Sequence, residues 1–209
     1  MNEINSLATP IVWEEERETT GARLGMWLFL LSEIILFGGL FILYSVYRYR
    51  YAPDFHRAAQ EMEVILGTLN TFLLQTSALT MTLSVLALRK GNRRPSAYLL
   101  IVTMALGLVF LGIKGGEWWT KIGNGIYPQS ATLLARPKGE IIFFSLYYAM
   151  TGLHGLHVFL GLCVLTGMLI LLWRGRLSHR LILLKNTGLY WHLVDIVWLF
   201  LYPLFYLIT

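Results

Sequence analysis

Two phrases near the C-terminal end place ionisable and indole side chains inside apolar runs: Thr-Gly-Leu-His-Gly-Leu-His from Thr151 to His157, and Tyr-Trp-His-Leu-Val-Asp-Ile-Val-Trp from Tyr190 to Trp198. An ionisable group at the centre of a membrane helix costs a few kcal/mol, so each must face protein, water or a functional partner. His154 and His157 are three apart and share one helical face, a spacing that could serve a metal or hydrogen-bond a neighbouring helix. A haem pair needs histidines on facing helices at matched depth, and His192 is the only other histidine within a long apolar run. His192 and Asp195 are also three apart, so they could share a proton as a dyad or satisfy each other as a polar pair that orients the helix. Trp191 and Trp198, seven apart, lie on that same side as packing anchors. Glu33 lies about nine residues into the first apolar run, roughly 14 Å deep at 1.5 Å per residue. There it is either a proton-exchanging, modification-prone carboxyl or a protonated acid bonded to a neighbouring helix.

The elements that must position these groups are apolar and long. Over 209 residues the apolar fraction is 56%, the charged fraction 14% and the mean hydropathy +0.59, the profile of an integral membrane protein. Five stretches, near 24–47, 64–88, 97–119, 140–173 and 185–208, reach the roughly 20 residues that cross a bilayer as helix. The fold class is therefore all-α, a polytopic bundle of five transmembrane helices. Residues 1–23 form an acidic N-terminal polar segment and 24–209 the membrane domain. Glu14, Glu15, Glu16 and Glu18 give the N-terminus the wrong charge for a signal peptide.

On the second span, Asn70, Ser77, Thr80 and Ser84 form a polar stripe suited to another helix. Gly112 and Gly116 offer a small-residue contact in the third, and Gly152 and Gly155, with Gly161, allow close approach in the fourth. Trp118 and Trp119, beside Glu117 and Lys121, mark where the third span meets the headgroups. Cys163, the single cysteine, is expected to be a small core residue. The formal charge of +5 reflects short basic clusters at span ends, so nucleic acid is not the implied partner. Ten cations (Arg17, Arg23, Arg89, Lys90, Arg93, Arg94, Arg174, Arg176, Arg180 and Lys185) fall on the N-terminal side. Seven (Arg48, Arg50, Arg57, Lys114, Lys121, Arg136 and Lys138) fall on the other. The positive-inside rule then puts the N-terminus in the cytoplasm and the C-terminus outside. There is no P-loop, dinucleotide fingerprint, haem-attachment motif or nucleophile elbow, and no complete active site.

Three phrases in order, namely Gly-Met-Trp-Leu-Phe-Leu-Leu-Ser-Glu from Gly25 to Glu33 with Phe37 and Gly38, the Thr151–His157 phrase with Gly161, and the Tyr190–Trp198 phrase, resemble subunit III of heme-copper cytochrome c oxidases. Leu69, Asn70 and Thr71 opening the second helix and Glu117 closing the third are similar to that family as well. The likeness runs from about residue 20 to the C-terminus and fits the short five-helix bacterial form.

The resemblance implies a chain of the bacterial cytoplasmic membrane that binds no redox centre and packs beside subunit I, where haems and copper reside. It implies subunit II as a partner too, with a small subunit IV and a respiratory supercomplex as further candidates. It also implies bound phospholipids in a cleft, with proposed roles in proton uptake, protection from turnover inactivation and oxygen entry. Glu33 maps onto the family's carbodiimide-reactive carboxyl. His154, His157, His192, Asp195, Trp191, Trp198 and Glu117 become structural or lipid-cleft residues. The chain lacks the first two helices of longer members, and its loop Gly125–Gly139 departs from the common wording, which makes it a candidate contact for a lineage-specific partner. Quinol oxidases and nitric oxide reductase accessory proteins use similar subunits. A stand-alone proton-coupled transporter would need an inverted repeat that five unequal spans do not offer.

Overall fold

The computed structural model describes residues 4–175 and 181–208, with side chains from Thr20 onward. Its described residues form seven helices and no strand: α1 (Ile4–Arg50), α2 (Ala52–Ala59), α3 (Val64–Arg89), α4 (Arg93–Gly123), α5 (Ala131–Leu134), α6 (Lys138–Trp173) and α7 (Leu181–Tyr206). Five are long and apolar enough to cross a membrane: Thr20–Arg50, Val64–Arg89, Arg93–Gly123, Lys138–Trp173 and Leu181–Tyr206. These contain nearly all of each span expected from sequence and run beyond most of them. The boundary at residue 23 falls inside α1, which is helical from Ile4 onward. Its glutamates and arginines are good helix formers and continue the helix rather than break it. Arg176 and Arg180, counted for topology, lie outside the described residues, and so does the side chain of Arg17.

Tight turns join the spans. After α3, Gly91 at φ +81° closes a Schellman turn in which Asn92 N–H donates to Ala87 O at 3.0 Å and Gly91 N–H to Leu88 O at 2.9 Å. Gly125 at φ +72° ends α4 the same way, with Ile126 N–H donating to Lys121 O at 2.9 Å. Only residues without a Cβ adopt this left-handed conformation at little cost. α3 and α4 therefore fold back as an antiparallel hairpin. Thr80 and Thr103 hydroxyls meet across it at 2.8 Å, and Ser84 Oγ donates to Ser96 O at 2.9 Å.

α7 is keyed into this hairpin and into α6 by its tryptophans. Trp191 lies in a slot opened by Gly107 and Gly161: a Cβ at either would come within 2.9 Å of its ring. Its indole N–H donates to Ser77 Oγ at 3.0 Å. Trp198 donates to Thr71 Oγ1 at 3.0 Å and packs edge-on against Phe110, ring centres 4.8 Å apart. Both indole N–H groups thus find acceptors on α3, which a membrane interior requires of any buried donor. α1 is attached on one side only, through Leu30, Phe37 and Tyr44 at seven-residue spacing. Among residues 24–47 most of its remaining surface is apolar and exposed, as a lipid-facing helix should be. Cys163 is exposed on α6, not part of the core as expected, since its position points away from the face that meets α4 and α7.

Candidate functional site: buried polar clusters in the membrane bundle

The first cluster joins α1 to α6. His157 Nδ1 lies 2.7 Å from Leu153 O on its own helix, and because a carbonyl only accepts, Nδ1 carries the hydrogen. Its other nitrogen, Nε2, then faces Glu33 Oε2 at 2.9 Å. The contact is short of hydrogen-bond alignment, and Glu33 Oε2 has no other partner. Phe37 packs its ring against His157 at 5.3 Å. The side chains are 13% and 11% exposed, so the pair lies at the rim of the bundle, near mid-span, within reach of lipid. The arrangement sets a carboxyl oxygen and an imidazole nitrogen face to face across two helices.

A second cluster, of which the sequence singled out only Glu117, closes near the Arg48 end of the membrane domain. Lys114 and Glu117, one turn apart on α4, are only 6% and 4% exposed. Lys114 Nζ donates to Glu117 Oε2 at 3.0 Å, to Tyr147 Oη of α6 at 2.8 Å and to Tyr206 Oη of α7 at 2.5 Å. All three ammonium hydrogens are used. The two phenols in turn donate to Glu117, at 2.7 Å from Tyr147 and 2.8 Å from Tyr206. This is an electroneutral ring that ties three helices together, with the cation also 4.6 Å from the Tyr147 ring centre. Lys114 is therefore not one of the solvent-side cations of its end: it is buried inside the span. The signal available in sequence was its three-residue spacing from Glu117, because an ion pair at that spacing neutralises its own burial.

The remaining polar residues are dispersed. His154 is buried between Phe110 and Trp198, ring centres 5.5 and 5.3 Å away, with neither nitrogen hydrogen-bonded to protein. It and His157 therefore address different neighbours and do not converge on one metal. Asp195 is buried with both oxygens unpartnered, and His192 turns instead to Thr82 Oγ1 at 3.2 Å. The direct His192–Asp195 pairing is not made. Asn70 is fully buried with an unpartnered amide, while Ser77, Thr80 and Ser84 meet α7 and α4. Gly152 lies under Trp118 and Gly155 in ordinary contact with Leu111. Gly112 and Gly116 make no such contact within the chain; nothing stands within 4 Å of where their Cβ atoms would be. Among the described residues no three His, Cys, Asp or Glu side chains are gathered as a metal would require.

At the same end an ionic belt fastens α2 and the Gly125–Gly139 loop to α6. Arg57 pairs with Asp54 and with Glu140, the latter at 3.4 Å, and Asp54 Oδ2 accepts the Gly139 N–H at 3.1 Å. Arg136 bridges Glu61 and Glu140, and its hydrogen bond to Glu61 pushes its pKa above the usual arginine value. Tyr148 donates to Ile126 O at 2.7 Å, so the divergent loop is held on the bundle.

Comparison with known proteins is consistent along the whole chain. The family described as cytochrome c oxidase subunit III matches residues 12–209. The chain is 32% identical to cytochrome c oxidase subunit 3 of Thermostichus vulcanus, over 99% of this chain and 97% of that one. It is 32% identical to quinol oxidase subunit 3 of Bacillus subtilis, over 88% of this chain and 85% of that one. It is also 31% identical to the heme-copper oxidase subunit I+III of Aeropyrum pernix, where 89% of this chain matches 22% of the longer polypeptide. The order of the phrases, the five-span bundle and the end-to-end match agree: the chain belongs to the cytochrome c oxidase subunit III family of the heme-copper oxidases.

Proposed function

We propose that this chain is the non-catalytic subunit III of a proton-pumping terminal oxidase of the cytochrome c type. In this reading it packs beside subunit I, holds phospholipid, and supports proton uptake and stability during aerobic electron transport. The observation that carries the pairing is the match to one segment of a relative whose name joins subunits I and III in one polypeptide. In this reading haems and copper belong to partner subunits, which the separate neighbours of His154, His157 and His192 support. The Glu33–His157 pair supports the lipid and proton roles: it sets a carboxyl against an imidazole at a rim that acyl chains can cover. Subunit II completes the oxidase, and a small subunit IV and a supercomplex are further partners of the same reading.

The quinol oxidase alternative has a specific basis, since the Bacillus subtilis relative is as similar in identity as the Thermostichus vulcanus one. Affinity purification through a tag on this chain decides both matters. The expected result is a complex with haem absorption that oxidises cytochrome c, and no haem on the chain purified alone. Stoichiometric haem on the isolated chain would overturn the subunit reading, and turnover with quinol but not cytochrome c would reassign the donor. The membrane is the bacterial cytoplasmic membrane, with the N-terminus in the cytoplasm.

A further inference from the structure

Asn70 of α3, His154 of α6 and Asp195 of α7 are only 0%, 1% and 2% exposed, and none of their side-chain nitrogens or oxygens meets a hydrogen-bonding partner in the protein. The three share the level of one indole. The His154 ring centre is 5.3 Å from that of Trp198. Asp195 precedes Trp198 by three residues on α7, which is about 4.5 Å in depth at 1.5 Å per residue. Asn70 precedes Thr71, whose hydroxyl accepts the Trp198 N–H, so on α3 it stands within about 1.5 Å of the level of that bond. Three helices thus bring one orphaned polar group each to the same slab of the bundle.

Burying an amide, imidazole or carboxyl without a partner is costly, and lipid tails supply no hydrogen bonds. The protein's own donors on this stretch are already committed. The indole N–H groups of Trp198 and Trp191 go to Thr71 and Ser77, and those hydroxyls donate in turn to Gly67 O at 2.9 Å and Leu74 O at 2.8 Å. Lys114 spends its three hydrogens within its ring, and His192 turns to Thr82. The missing partner must therefore come from outside the chain, and it must both donate and accept. Asp195 presents acceptor oxygens, the His154 imidazole at least one N–H, and the Asn70 amide two N–H donors and a carbonyl. A cation would be opposed by the amide and imidazole N–H groups, and an anion by the carboxyl. Water meets all three demands, and a buried water typically makes about three hydrogen bonds.

We propose that the bundle binds water at the level of Trp198, held by Asp195, His154 and Asn70. The site goes beyond the oxidase reading and does not depend on it. The test is pulsed X-ray hydroxyl-radical footprinting, in which radicals formed from bound water oxidise the side chains beside it. It is applied to the complex purified through a tag on this chain, with each residue's rate divided by its rate in the unfolded chain. Trp198 should be oxidised although it is fully buried, whereas Phe143, equally buried but packed among Phe55, Phe144 and Phe205, should stay unmodified. Asp195→Leu should bring Trp198 oxidation down to the Phe143 level. Asp195→Asn, which keeps a hydrogen-bonding group of the same shape, should retain it. Cryo-electron microscopy of the unaltered complex should show a water peak within hydrogen-bond reach of an Asp195 oxygen. Trp198 as inert as Phe143 in the unaltered chain would overturn the site whether or not the leucine variant assembles. So would Trp198 oxidation unchanged in an assembled Asp195→Leu complex, or a density map in which the Asp195 carboxyl bonds directly to the Asn70 amide or the His154 imidazole.

Discussion

Lys114 and Glu117 illustrate how a membrane interior treats charge. Alone, either would be expelled; together with two phenols they form a closed ring in which every ammonium hydrogen has an acceptor. Removing one partner leaves the other buried and uncompensated, a loss of about 3–5 kcal/mol. Lys114→Met should therefore shorten the half-life of the complex in detergent at elevated temperature, and Lys114→Met with Glu117→Gln should recover much of that loss. Equal lifetimes for single and double variants would mean that the ring is not the source of stability. Glu33 should behave differently, because it faces only His157 at the rim and closes no ring. Glu33→Ala is expected to leave initial electron transfer near normal while shortening the number of turnovers before inactivation. Immediate arrest of oxygen consumption with subunit I intact would contradict the accessory role.

At the scale of elements, the long spans were legible because runs of some 20 apolar residues have few other uses. The short helices were not. α2 has eight residues, and its Phe55, Ala58 and Ala59 become buried only because α6 begins opposite them. Nothing within the octet announces that partner. Lys114 was misplaced for a related reason: it sits near a span end, where counting charge assigns it to water, and only its ring of tyrosines from two distant helices draws it inward. Glycine roles likewise depended on neighbours. Gly161 and Gly107 accommodate the Trp191 indole, whereas Gly112 and Gly116, similar in sequence, face outward. Gly161→Ala should thus destabilise the bundle by about 1–3 kcal/mol through overpacking. Gly112→Ala should leave thermal stability of the isolated chain unchanged, a contrast that detergent melting curves of the two variants measure directly.

For the whole molecule, orientation depends on which cations are free to act as topology signals. With Lys114 buried in its ring, its charge is neutralised inside the protein and drops out of the positive-inside comparison. Lys121 is drawn in too, donating to Glu61 O at 3.1 Å, and burial lowers the cationic weight that this end presents. On the opposite end Arg89, Lys90, Arg93 and Arg94 are exposed around a three-residue connection, where short-loop charge counts most. Among the described residues the asymmetry thus favours the proposed orientation, with a cytoplasmic N-terminus. Five spans then carry Thr209 to the other side. Alkaline phosphatase fused after Thr209 should be active and a fluorescent protein that matures only in the cytoplasm dark, while the same reporters in the Gly91–Asn92 turn should give the reverse. A bright cytoplasmic reporter at Thr209 would invert the bundle and place the ionic belt of Arg57, Glu140 and Arg136 against the cytoplasm.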